Sequence, residues 1–150
     1  MLRSLLEAER IKPNSFARIW LGAPNSIKGP TEAVFQKQSG SNLLIVGQRD
    51  EAILAIVSMA LVSLAAQFPR AGAKFILFDS SAPGSPPKEF LERIVKAIPQ
   101  GVTVAKGDLG EIINGVAAEM KRRSEDEKAG EAPPIFMFFH GTQKSWRSWV

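Results

Sequence analysis

The sequence contains no cysteine and a single histidine, His140. The first absence excludes a disulfide scaffold, a thiolate metal site and a cysteine nucleophile. The second argues against a histidine-based metal cluster. No internal repeat is present, and no apolar run reaches the ~20 residues that a bilayer span requires. The segment 52–66 comes nearest, but it is short and holds Ser58 and Ser63, so it reads as a buried core helix. The opening MLRSLLEAERIKPNSF has no long apolar core and carries Glu7 and Glu9, so it is not read as a secretory signal. Strong charge of one sign is also lacking. The formal net charge is +4, which is compatible with nucleic acid but does not argue for it.

What is present is the composition of a soluble globular protein, with 45% apolar and 23% charged residues in 150. That length fits one domain with a substantial core. Leu2, Leu5, Leu6 and Ile11 share one face of a short N-terminal helix that Pro13-Asn14 ends. FARIWLGAP alternates weakly, as an edge strand does, and NSIKGPTEAVF is turn-rich before becoming extended. SNLLIV and KFILFD read as buried strands, and a long helix runs between them from Asp50 or Glu51 to about Phe68, where Pro69 stops it. In PKEFLERIVKAI, residues Phe90, Leu91, Ile94, Val95 and Ile98 fall on one helical face. GVTVAK is a short strand. Asp108 and Glu111 resemble a capping box ahead of a helix with Leu109, Ile112, Ile113, Val116, Ala117 and Met120 at helical spacing. PPIFMFFHG is the last buried strand, and TQKSWRSWV has no clear element.

Continuous apolar strands alternating with helices predict an α/β fold, with a mostly parallel sheet covered on both faces. Residues 1–40 are read as a helix and extended lead-in, and 41–150 as the α/β domain. Ligands of such sheets bind beyond the strand C-terminal ends. That rule singles out Gly47 to Glu51, Asp79 to Ser81, and His140-Gly141.

The frame NLLIVG followed by a helix is that of a phosphate-binding loop. Together with KFILFD, DLGEIINGVAAEMKRR and PPIFMFF, in that order, it resembles the FtsK/SpoIIIE family of P-loop ATPases over roughly Ser41 to Gly141. The resemblance implies a three-layer, RecA-like P-loop fold. It also shows what has been lost. Along the vestigial loop Gly47, Gln48, Arg49, Asp50, Glu51, Ala52, Ile53 and Leu54, the family's second glycine falls on Ala52, its lysine on Ile53 and its serine or threonine on Leu54. The family's additional loop glycine falls on Asp50. The two acids that should close the last strand fall on His140 and Gly141, and of the family's Asp-Pro-Lys only Asp79 remains, before Ser80 and Ser81.

Phosphoryl transfer needs positive charge and a metal anchor around the phosphates. Ile53 and Leu54 supply neither, and Asp50 and Glu51 place negative charge where a phosphate would sit while suiting a helix start on their own. The resemblance therefore implies a pseudo-ATPase with no catalytic residue, no metal and no bound cofactor. It would serve as a scaffold, regulatory or substrate-docking module of a larger bacterial translocase. The implied partners are other ATPase domains or further copies of the chain, with a peptide substrate or DNA. The implied location is cytoplasmic, with any membrane anchor belonging to the parent protein and not to this chain. The alternative is an ATP-binding DNA translocase or secretion motor domain using ATP and magnesium.

The remaining candidates each have a plainer reading. Arg49 as a substitute phosphate ligand yields to a solvent-facing loop arginine. Asp79 as a metal or partner contact yields to a strand-end acid. His140 as a general base yields to a histidine with no acid or nucleophile that the sequence places beside it. Lys121, Arg122 and Arg123 read as a solvated helix end rather than a nucleic-acid contact. Trp146 and Trp149 are either an exposed patch or a packed tail. In the family, a later strand separates the NLLIV and IFMFF strands, and TQKSWRSWV does not supply one, so the sheet is expected to be truncated. The slot would be filled by a strand from another copy, by the tail, or by FARIW.

Overall fold

The computed structural model describes residues 16–23, 27, 29, 31–36, 41–105, 109–125 and 132–141. The expected N-terminal helix, the Asp108 cap and the tail with Trp146 and Trp149 lie outside the described residues.

Two strands come first. β1 (Ala17–Gly22) and β2 (Thr31–Phe35) pair antiparallel, with Ala17 opposite Phe35 and Trp20 opposite Glu32. The weak alternation in FARIWLG has a direct outcome: Ala17 and Ile19 are buried, while Arg18 and Trp20 are exposed. FARIW therefore does not fill a slot in a larger sheet; it forms a hairpin of its own.

The helix α1 (Asp50–Gln67) runs eighteen residues without a breaker and ends before Pro69, as expected. Ala60, Leu61, Leu64 and Ala65 form one core cluster with Ala17 and Ile19 of β1, so residues before position 41 share the core of those after it. No glycine caps the C-terminal end of α1. Instead the Gln100 side-chain amide donates to Ala65 O (2.5 Å) and Phe68 O (2.9 Å), satisfying carbonyls that a helix end leaves open. Gln67 acts similarly for β1. Its amide nitrogen donates to Arg18 O (2.5 Å), and its oxygen accepts from Arg18 N–H (2.9 Å).

The rest of the chain alternates strand and helix: β3 (Lys74–Asp79), α2 (Pro86–Ala97), β4 (Thr103–Val104), α3 (Leu109–Ser124) and β5 (Ile135–His140). The sheet order is β4-β3-β5, all parallel. The predicted α/β class and parallel pairing hold for these three strands. Phe75 and Leu77 of β3 are buried, and in register they sit beside Phe136 and Phe138 of β5. Phe75 stacks on Phe136 with ring centroids 5.7 Å apart. A second cluster joins Leu77 to Leu54 of α1 and Leu91 of α2, so both helices cover this face. The opposite face carries Ile76, Phe78, Met137 and Phe139, none of them fully buried, and α3 has no buried residue. Coverage of both faces is thus incomplete among the described residues.

The expected strand SNLLIV is not one. Residues 41–47 have no regular structure, and Leu44 and Val46 are 86% and 83% exposed. The apolar run has the right composition for a parallel strand, but a strand is a property of a pair. Among the described residues no neighbour supplies a ladder for its N–H and C=O groups.

Candidate functional site

The C-terminal ends of β3 and β5 are Asp79 and His140, and they are direct partners in the parallel register. That register is set upstream by the paired aromatic and aliphatic side chains. It brings together two residues that lie 61 positions apart in the chain. His140 Nδ1 is 2.9 Å from Asp79 Oδ1. The same carboxylate oxygen accepts from the Ser81 N–H at 3.0 Å and from the Ser81 hydroxyl at 2.7 Å, in the local turn that aspartate favours. Lys88, in the first turn of α2, places its ammonium 3.1 Å from Oδ2. The Asp79 side chain is 1% exposed and that of His140 11%. The sequence reading gave His140 no neighbouring acid; the fold places one there. Lys88 was missed because nothing in its spacing links it to the strand end.

Burial alone would raise the Asp79 pKa. The hydrogen bonds from His140, from the hydroxyl and N–H of Ser81, and from Lys88 together outweigh it and hold the carboxyl at about 2. Asp79 is therefore an anion and can only accept, so the proton of the imidazole sits on Nδ1. That tautomer leaves Nε2 as the accepting nitrogen of the ring. Ser81 Oγ lies 3.4 Å from Nδ1, on the side already engaged with Asp79, so it is not placed for activation by Nε2. The arrangement orients an imidazole; it does not assemble a nucleophile. Among the described residues no group of three or more His, Cys, Asp or Glu side chains is placed to hold a metal.

Next to this cluster the backbone closes tightly. The Ser80 N–H donates to His140 O at 3.1 Å, and the Ser80 hydroxyl donates to the carbonyls of His140 and Gly141. Gly141 has φ +73°, and a Cβ there would meet Ser80 Oγ at 2.5 Å. The left-handed backbone favours glycine here, and a side chain would also displace the Ser80 hydroxyl from its carbonyls.

At the vestigial loop, α1 starts at Asp50, as expected. The expected cap by Asp50 or Glu51 is not formed. The N-cap is Arg49, with extended backbone and no side-chain cap, and its carbonyl accepts from the N–H groups of Ala52 (3.1 Å) and Ile53 (3.2 Å). The physical reason is position. Asp50 already has helical geometry, so both acids favour the helix dipole without reaching back to a free N–H. Gly47, Gln48, Arg49, Asp50, Glu51 and Ala52 are exposed, and Ile53 is half-buried. Leu54 is buried against Leu77 and Leu91.

Arg122 and Arg123 both bind Glu119: the Arg122 Nε and Nη2 lie 2.9 Å from its two oxygens, and the Arg123 Nε 2.9 Å from one of them. The bonds from Arg122 and Arg123 hold the Glu119 carboxyl at about 2. Arg123 also donates to Pro133 O at 2.7 Å. Lys121 and Arg122 are exposed, as a solvated helix end requires, and Glu119 offsets part of the basic charge.

A cleft of about 1130 Å³ lies between β5 and residues 41–45. Its walls include Ile53, Ile56 and Val57 of α1 and Val116 and Met120 of α3, and His140, Gly141, Ser80 and Ser81 close one end. Ser85, the N-cap of α2, also lines it, and its hydroxyl is buried without a partner among the described residues. Searches of protein-family models, curated proteins and solved structures find no match to this chain.

Proposed function

We propose that this chain is a catalytically inactive FtsK/SpoIIIE-like P-loop domain, acting as a scaffold, regulatory or substrate-docking module of a larger cytoplasmic bacterial translocase. The observation that carries the reading is the place of Leu54. The residue at the position of a magnesium-binding hydroxyl packs into the core with Leu77 and Leu91. A nucleotide and its metal do not fit the residues present. The first turn of α1 offers two exposed carboxylates, Asp50 and Glu51, in place of a cation. At the strand ends, the one acid of the site, Asp79, is already engaged by His140, Ser81 and Lys88. Further support comes from the apolar cleft beside β5, which suits docking of a chain segment rather than catalysis.

Equilibrium binding of labelled ATP with magnesium tests the reading. The expected result is no saturable binding and no hydrolysis above background. Saturable binding without turnover would make the domain a nucleotide sensor instead. Turnover that disappears in His140→Ala would overturn the proposal. Ile53→Lys alone leaves the chain inactive, because the metal ligands and acids are still missing.

A further inference from the structure

Three apolar features lack partners among the described residues, and they border one cleft. The first is the outer edge of β5. Lys74 N–H donates to Pro134 O (2.8 Å) and Ser80 N–H to His140 O (3.1 Å), so the even-numbered residues of this stretch turn their backbone toward β3. By alternation, Ile135, Met137 and Phe139 turn N–H and C=O groups outward into the cleft. No strand pairs with that edge among the described residues. Ile135 to Phe139 carries no charge, proline or bulge of the kind that protects an exposed edge. The second feature is Ser41–Val46, an uncharged, unpaired run whose Leu44 and Val46 are almost fully exposed. The third is α3, whose Ile113 and Met120 are 49% and 64% exposed.

We infer that two copies of this chain interdigitate, each placing its Ser41–Val46 segment in the other's cleft, against the free edge of β5. A single two-fold axis perpendicular to the sheets achieves this. The order becomes β4-β3-β5, the partner's segment, this copy's segment, then the partner's β5-β3-β4. The two segments lie antiparallel across the axis, and each copy's cleft is filled by the same operation that inserts its own segment. Area and charge both favour a second copy as the occupant. A six-residue extended segment exposes roughly 950 Å², and Leu43, Leu44 and Val46 remain 42%, 86% and 83% exposed here. Two segments with matching cleft walls therefore bury on the order of 2,000 Å², the size of a stable interface. Neither the segment nor Ile135–Phe139 carries a charge, and the aspartate and arginine that line the cleft, Asp50 and Arg123, are of opposite sign.

Sedimentation equilibrium of the full chain, with amide hydrogen exchange, tests this. The expected state is a dimer in which the outward amides of Ile135, Met137 and Phe139 exchange as slowly as those of Phe136 and Phe138. Met137→Pro removes an outward N–H without touching the β3 ladder. Leu44→Lys places a charge in the shared sheet at a position that is open in one copy. Each should weaken dimerisation at least roughly tenfold, while Met59→Lys, on an exposed part of α1 outside the cleft, leaves it unchanged. A dimer that survives both cleft variants overturns the inference. So does a monomer, whether its three outward amides exchange freely or are protected by a segment of the same chain.

Discussion

At the scale of single residues, Asp79 is the group on which the strand-end cluster depends. It meets three side chains drawn from a turn, a helix and a neighbouring strand. Its carboxyl is held at about 2 against an ordinary value of 3.8. A depressed carboxylate pKa means that the folded state favours the anion. Its contribution is complete above the unfolded value and is lost as the pH falls through about 2. The size is roughly 2 kcal/mol, from a shift of nearly two units in a side chain that is almost fully buried. Asp79→Asn should therefore lose about 2 kcal/mol at neutral pH in urea unfolding, and the gap to the wild type should close between pH 4 and pH 2. A constant gap across that range would show that the ion is not the source of the stability.

At the scale of elements, side-chain amides do work that backbone elements do elsewhere. The C-terminal end of α1 has neither a glycine cap nor a basic residue in its last turn. Gln100, thirty-two residues beyond Phe68, supplies the missing donors and ties the loop before β4 to the helix end. Gln100→Ala should leave two carbonyls underserved and cost about 1–2 kcal/mol, read as a lower urea midpoint with unchanged slope. Gln67 acts at the other side of the same helix end, where it completes the backbone pairing of Arg18 at the edge of β1. Elements that share no ladder are joined in this way by one flat amide that both donates and accepts.

At the scale of the whole molecule, the core is lopsided. α1 and α2 cover one face of the parallel sheet, and buried residues gather there. α3 buries none of its residues. α1 is long and apolar enough to cross a membrane by length and composition, and seven of its eighteen residues, Ser58 and Ser63 among them, are buried inside the protein. If a second copy completes the open edge of β5, stability depends on chain concentration. Tm should then rise by about 2 °C for each tenfold increase in protein concentration, and Leu44→Lys should abolish that dependence. A Tm that is independent of concentration in the wild type would fit a self-sufficient monomer.

The sequence by itself determined what local chemistry determines. Eighteen residues without proline or glycine make α1, and Pro69 ends it. Runs such as KFILFD and IFMFFH are strands, and their continuous apolarity announces a parallel sheet. The spacing of Phe90, Leu91, Ile94 and Val95 fixes the inner face of α2. The replacement of lysine and hydroxyl by Ile53 and Leu54 could also be read directly. Pairing and encounter were decided by the tertiary structure. SNLLIV has the composition of a strand but no ladder, because hydrogen bonds between strands depend on a neighbour that the sequence of one strand does not specify. FARIW found its partner in a hairpin with TEAVF. Asp79 and His140 became neighbours only because β3 and β5 lie in register, and Lys88 joined them only because α2 begins over that strand end. Propensity acts within a few residues; contacts across the fold depend on which edges and faces meet.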